Sequence, residues 1–146
     1  MQTFLPYKSF AKSARVLDNK RLGKQRVEAY QILNTLLGRS VGWSNHPAVK
    51  MWRGYEGSLY DYACAVCDEW AARGFSNQKM SLNLVTLAKR YARRLEFCEP
   101  PGWLGNKKFH ASHRSNLLRK DPRHYGFMGW REPNDIPYVW PCEEVV

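Results

Sequence analysis

The sequence predicts an all-α fold, and three observations carry that prediction. Apolar residues recur at helical spacing through several long stretches, no segment shows the strict alternation of a strand, and Gly, Pro and Asn separate the stretches. With 146 residues, 44% hydrophobic and 14% aromatic, the chain has the material for one ordinary core, since a domain of this size buries roughly 68–70% of its unfolded surface. That composition excludes intrinsic disorder. The expected architecture is a single compact domain over residues 1–146, with about five helices, long ordered loops and an aromatic, Pro-rich C-terminal tail.

Ser9 reads as the cap of a short helix from Phe10 to Leu17, because its hydroxyl oxygen can accept from a free first-turn N–H. Asp18 is placed to cap a second helix, Lys20 to Leu37, along which Leu22, Ala29, Ile32, Leu33, Leu36 and Leu37 repeat near the helical period until Gly38. Asn45 is the expected cap of the next helix, with Pro47 at its first turn and Ala48 to Arg53 following. Leu59, Tyr62, Ala63, Val66 and Trp70 define a helix from Ser58 to Arg73, closed by Gly74. Met80 to Phe97 reads as one further helix ended by Pro100-Pro101-Gly102, and His110 to Lys120 as a weaker one. From Pro122 the density of Pro, Gly and aromatics predicts an extended tail packed over the helices.

No run approaches the roughly 18 to 20 apolar residues of a membrane span and no signal peptide opens the chain, so a soluble cytoplasmic protein is expected. Cys64, Cys67, Cys98 and Cys142 are read as reduced thiols. Cys64 and Cys67 have the spacing of half a zinc site but lack a second close Cys/His pair; neither metal nor cofactor is expected. The six tryptophans, Trp43 among them, are read chiefly as core and lid.

Charge is the most informative property. The 23 Lys and Arg exceed the 13 Asp and Glu by ten. Thirteen of those cations fall in two blocks: Lys8, Lys12, Arg15, Lys20, Arg21, Lys24 and Arg26, then Lys107, Lys108, Arg114, Arg119, Lys120 and Arg123. A fold that joins them makes a phosphate-binding face, and phosphate contacts dominate non-specific nucleic-acid affinity. His46, His110 and His113 are candidates for the same face, since a neutral imidazole can bond phosphate or stack on a base. Glu28 is the only carboxylate between Asp18 and Glu56. With Lys24 four residues earlier and Arg21 seven, it is expected to be ion-paired, hence ionised, suiting a base or electrostatic role.

Met1-Gln2-Thr3-Phe4-Leu5-Pro6, Ala14-Arg15-Val16-Leu17-Asp18, the helix Lys20 to Glu28, Asn45-His46-Pro47, Trp52 and the segment Ser112 to Pro122 together resemble the pyrimidine-dimer DNA glycosylase, or endonuclease V, family, most closely its bacterial and phage branch. That resemblance implies an all-α glycosylase and AP lyase working on double-stranded DNA without a cofactor, hence a nucleoid-associated protein. In such enzymes an N-terminal α-amine attacks the sugar C1′, the base leaves, and a Schiff base leads to β-elimination. Carried over, Glu28 takes the place of the assisting glutamate; because Gln2 is too bulky for the initiator methionine to be removed ahead of it, the nucleophile is either the Met1 amine or absent, in which case Glu28 activates water for glycosidic cleavage without lyase chemistry. A reference α-amine titrates near 7.7–8.0, so it is partly neutral where a lysine is not. Two other readings stay open at this stage: a catalytically silent DNA-binding domain of the same fold, and an RNA-binding or RNA-processing module. A monomer is assumed.

Overall fold

A computed structural model describes residues 1–141; Cys142 lies outside the described residues. Among these, eight helices and no strand are found: α1 Phe10–Val16, α2 Asn19–Leu36, α3 Pro47–Lys50, α4 Glu56–Ala72, α5 Gln78–Arg90, α6 Ala92–Glu96, α7 Lys107–Lys120 and α8 Pro122–Tyr125. The all-α expectation therefore holds, and the count exceeds five because three of the eight are single turns or little more. No helix is long and apolar enough to cross a membrane.

Helix α4 is the axis of the fold. Leu59, Tyr62, Ala63, Val66 and Cys67 recur at helical spacing along it and are buried, because α1, α2 and α6 all pack on it, with α2 making the most extensive pairing. Two glycines permit the closest approaches. At Gly23 of α2 a Cβ would lie 3.0 Å from the Trp70 ring, and at Gly57 of α4 only 2.2 Å from the Phe97 carbonyl oxygen. Gly23 thus costs α2 some intrinsic propensity but admits the α4 tryptophan.

Capping follows the sequence at α1 and α2, where Ser9 and Asp18 accept from the backbone N–H of Lys12 and Arg21. At α3 the cap is His46, whose Nδ1 accepts from Ala48 N at 3.0 Å, and not Asn45. The expected single helix from Met80 to Phe97 is two: Tyr91 leaves helical geometry (φ −119°, ψ 36°), turning α6 so that Leu95 buries against the core. Helix α7 begins three residues before the expected start, capped by Asn106, and Asp121 caps an extra turn, α8, where only extended chain was expected.

Two non-helical segments flank α7. The N-terminal one has no regular structure and is buried from Gln2 to Pro6. The C-terminal tail lies along the polar side of α7, where Ser115 Oγ donates to Pro133 O and accepts from Ile136 N, Asn116 Nδ2 donates to Ile136 O, and Val139 N donates to Ser112 Oγ. The tail thus packs over the helices as its composition predicts, carrying Tyr138 and Trp140 back toward the chain start.

Candidate active site

Position at the N-terminus is set by hydrogen bonds of its backbone and of Thr3 with buried side chains. Phe4 N donates to Gln25 Oε1 at 2.8 Å, Trp52 Nε1 to Thr3 Oγ1 at 3.0 Å, and Leu5 N to His113 Nδ1 at 2.9 Å. On the other side of the same residue, His110 Nδ1 lies 2.7 Å from Leu5 O, while His110 Nε2 accepts from Gly105 N. His110 is therefore the Nδ1–H tautomer and donates to Leu5 O, whereas His113 carries its proton on Nε2. One turn apart on α7, the two imidazoles supply both partners that the buried Leu5 backbone needs.

Gln25 is the centre of this arrangement. Its Nε2 donates to Gln2 O at 2.9 Å and to Glu28 Oε2 at 3.0 Å, and its Oε1 accepts from Phe4 N and the Tyr62 hydroxyl at 2.6 Å. Every donor and acceptor site of a buried amide is used. Glu28 Oε2 also faces the Gln2 backbone nitrogen at 3.4 Å. Glu28 belongs to none of the ion pairs among the described residues: Arg21 pairs with Asp18 instead, at 3.2 Å. The expected pairing of Glu28 with Lys24 and Arg21 is thus replaced by amide donors. Those cations still surround the carboxylate, because Met1, Gln2, Phe4, Arg21, Lys24, Gln25, Glu28, Lys120 and Tyr138 line one cavity of about 220 Å³. A shallower groove of about 600 Å³ continues along α2 past Lys20, Lys24, Glu28 and Trp70.

His46 lies outside the cavity lining but within electrostatic reach of the N-terminal amine and Glu28. Burial, then the positive N-terminal amine, lower its pKa, and the negative charge of Glu28 opposes them. Its ring meets Trp43 and Trp140 edge-on, each at 5.9 Å between centroids. Trp140 in turn contacts Tyr138 at 5.6 Å, and Tyr138 contacts His113 at 5.5 Å. Burial pushes the Tyr138 phenol up to about 12, with the charges of Arg119 and Arg21 acting the other way. At neutral pH it is a neutral donor above the cavity.

The remaining candidates divide. Lys20 and Lys24 are exposed on α2, and Arg119 and Lys120 are exposed at the end of α7. Lys20, Arg21, Lys24 and Lys120 draw on both basic blocks and line the cavity and its groove, while Arg119 donates to Asn116 Oδ1 and acts on the cavity through its charge on Tyr138. Arg15 and Lys108 are exposed away from the cavity lining, and Lys107 lines a separate cavity with Tyr7, Lys8 and Arg114. Arg26 also lines the groove along α2, half-buried, with Nε donating to Asn77 Oδ1 and its guanidinium 4.8 Å above the Trp70 ring. Arg114 forms a two-pronged pair with Glu132 and donates to Pro6 O at 2.7 Å, joining tail to N-terminal segment. His110 and His113 are 5% and 0% exposed, so neither offers a surface to phosphate. Polarity marked α7 as a DNA-facing segment, yet its polar groups mostly serve buried backbone.

Gln25, Tyr62 and Tyr138 were not singled out from the sequence. Gln25 lies one turn before Glu28, a spacing that puts both on one helix face; Tyr138 gave no comparable signal. Cys64 and Cys67 lie on α4, with burial pushing the Cys64 thiol up to about 11 and raising Cys67 as well.

No curated protein and no solved structure matches this chain. A family model described as pyrimidine dimer DNA glycosylase does match, over residues 1–83, which hold Met1, Gln25, Glu28, His46 and Tyr62. More than half the chain is covered, including all of α1 to α4 and every residue that fixes the Glu28 carboxylate, and the chain belongs to the pyrimidine dimer DNA glycosylase family.

Proposed function

We propose that this protein excises a damaged or modified pyrimidine from double-stranded DNA in the cavity between Met1 and Glu28, and nicks the strand there. One observation carries the proposal: an N-terminal segment held by Gln25, Trp52, Tyr62, His110 and His113 brings the chain start beside a carboxylate in a cation-lined cavity.

The Met1 amine, in its neutral form, attacks C1′ of the target nucleotide. The C1′–N glycosidic bond breaks, its electron pair leaves with the base, and the base takes up a proton. Opening of the sugar at O4′ leaves an imine between the Met1 nitrogen and C1′. Removal of a C2′ proton then expels the 3′ phosphate by β-elimination, and hydrolysis of the imine frees the amine. Glu28 is suited to accept that C2′ proton and to stabilise the cationic intermediates: Gln25 fixes the orientation of its carboxylate, while the amine forms no ion pair with it. Arg21, Lys24, Arg119 and Lys120 would hold the phosphates flanking the extruded nucleotide.

The test is strand cleavage of duplex DNA carrying a cyclobutane dimer, an abasic site or a modified pyrimidine, by wild type and Glu28→Gln. Glu28→Gln should bind with unchanged salt dependence and cleave at least 100-fold more slowly, a typical general-base contribution. Equal cleavage would remove Glu28 from the chemistry. DNA binding with no reaction on any substrate would favour a binding domain, and preference for matched RNA over duplex DNA at fixed salt would favour an RNA module.

A further inference from the structure

Trp43 is the one non-glycine residue with positive φ among the described residues, at 67°, and its indole is 60% exposed. Most large aromatics of this chain are buried or half-buried. A bulky side chain in left-handed backbone is a genuine outlier, and such outliers persist only where the surroundings impose them. They do so here. Thr35 Oγ1 donates to Gly42 O at 2.9 Å, Ser44 Oγ to Val41 O at 2.6 Å, and His46 N to Trp43 O at 2.9 Å. The loop between α2 and α3 therefore holds the indole outward, with Val41, 91% exposed, two residues before it.

The direction matters because of what lies behind the indole. Trp43 abuts His46, which feels both the N-terminal amine and Glu28, and His46 abuts Trp140, which leads through Tyr138 to the cavity. An exposed aromatic held by its loop is thus joined through three ring contacts to a cation-lined cavity that, on the function proposed above, must receive a nucleotide from inside a duplex. Opening a duplex leaves a gap in the base stack, and apolar wedges commonly fill such gaps.

We propose that Trp43 is the wedge of this protein: its indole enters the base stack of duplex DNA beside the target and stacks on the base left behind, with Val41 following. The inference rests on the proposed DNA reaction, but its signature is base unstacking and not bond cleavage. The two can therefore fail separately.

The experiment uses duplex DNA with 2-aminopurine next to the target dimer, bound to saturation by wild type, Trp43→Ala, Trp43→Phe and Glu28→Gln, with binding followed by anisotropy. Wild type, Trp43→Phe and Glu28→Gln should raise 2-aminopurine emission several-fold, whereas Trp43→Ala should bind and leave it near the value of free duplex. On cleavable duplex, Trp43→Ala should be roughly 5- to 150-fold slower, the range expected for one lost aromatic stack. On the same target in an unpaired bulge its rate should stay within about twofold of wild type. Emission raised as strongly by Trp43→Ala as by wild type overturns the wedge, as does an equal loss of rate on paired and unpaired targets. If wild type unstacks the probe but cleaves nothing, the glycosylase reading falls and the wedge stands. A wild type that leaves the probe stacked overturns the wedge whatever its activity.

Discussion

Lowering the pH from about 7.5 to about 5 should remove about 2 kcal/mol of folding stability through one side chain, His113. That imidazole is 0% exposed, accepts from Leu5 N through Nδ1, and has its pKa driven by burial from an ordinary 6.5 down to about 3. Between those two values the unfolded chain binds the proton and the folded one does not, so stability rises with pH across the window and falls on acidification. At about pH 5 the unfolded imidazole is almost fully protonated and the folded one almost not at all. The ratio of the two binding terms, roughly 30, corresponds to about 2 kcal/mol. His110 adds in the same direction, its pKa also lowered chiefly by burial. The lowered carboxyls of Asp18 and Glu132 lose their contribution only as pH falls through the carboxylate range, below this window. Urea unfolding of wild type at the two pH values should show a midpoint lower by about 1 M at the acidic one. In His113→Asn the amide oxygen keeps an acceptor for Leu5 N without a titrating ring, so about 2 kcal/mol of the pH dependence should vanish. If the variant loses as much stability between the two pH values as wild type does, His113 does not titrate as the buried clamp described above.

Other substitutions separate the scaffold from the proposed DNA face. Gln25→Met keeps the side-chain length but strands Phe4 N, Gln2 O, the Tyr62 hydroxyl and Glu28; it should cost about 2–4 kcal/mol in urea unfolding, and a loss below 1 kcal/mol would contradict its central place. Gly57→Ala drives a methyl into the Phe97 carbonyl and should destabilise by about 1–3 kcal/mol or more in thermal melts; an unchanged melting temperature would mean that α4 and α6 separate easily. Arg114→Ala removes the link between Glu132 and Pro6 O and should lower stability while leaving the salt slope of DNA binding as it is. Lys24→Ala and Lys120→Ala should each reduce that slope by about one with little effect on stability, and the reverse pattern would move the DNA face to the opposite end of α7.

How much of this was legible in the sequence follows from what each signal can encode. Helical period and capping chemistry are local, so α1, α2 and α4 were readable, and Ser9 and Asp18 cap as expected. The break at Tyr91 is tertiary, set by where Leu95 must pack, and nothing in the residues from Met80 to Phe97 announces it. Glu28 was identifiable as an isolated carboxylate among cations, yet its partners were misread, because spacing along a helix says which groups share a face and not which of them bond. The same limit applies to α7. Its histidines, serines and Arg114 look like a surface for phosphate, and only the path of the two flanking segments reveals that they satisfy buried backbone. Trp43 was counted with the core tryptophans because composition carries no information about φ.

In the proposed reaction a terminal amine beside Glu28 performs the chemistry. The most direct measurement is borohydride trapping on dimer-containing duplex DNA, followed by intact mass and peptide mapping of the adduct. A covalent complex is expected whose DNA remnant sits on the α-nitrogen of Met1, abolished when that amine is acetylated and slowed in Glu28→Gln. Base release with no trapped complex, or an adduct on a lysine side chain with the N-terminus free, would contradict it.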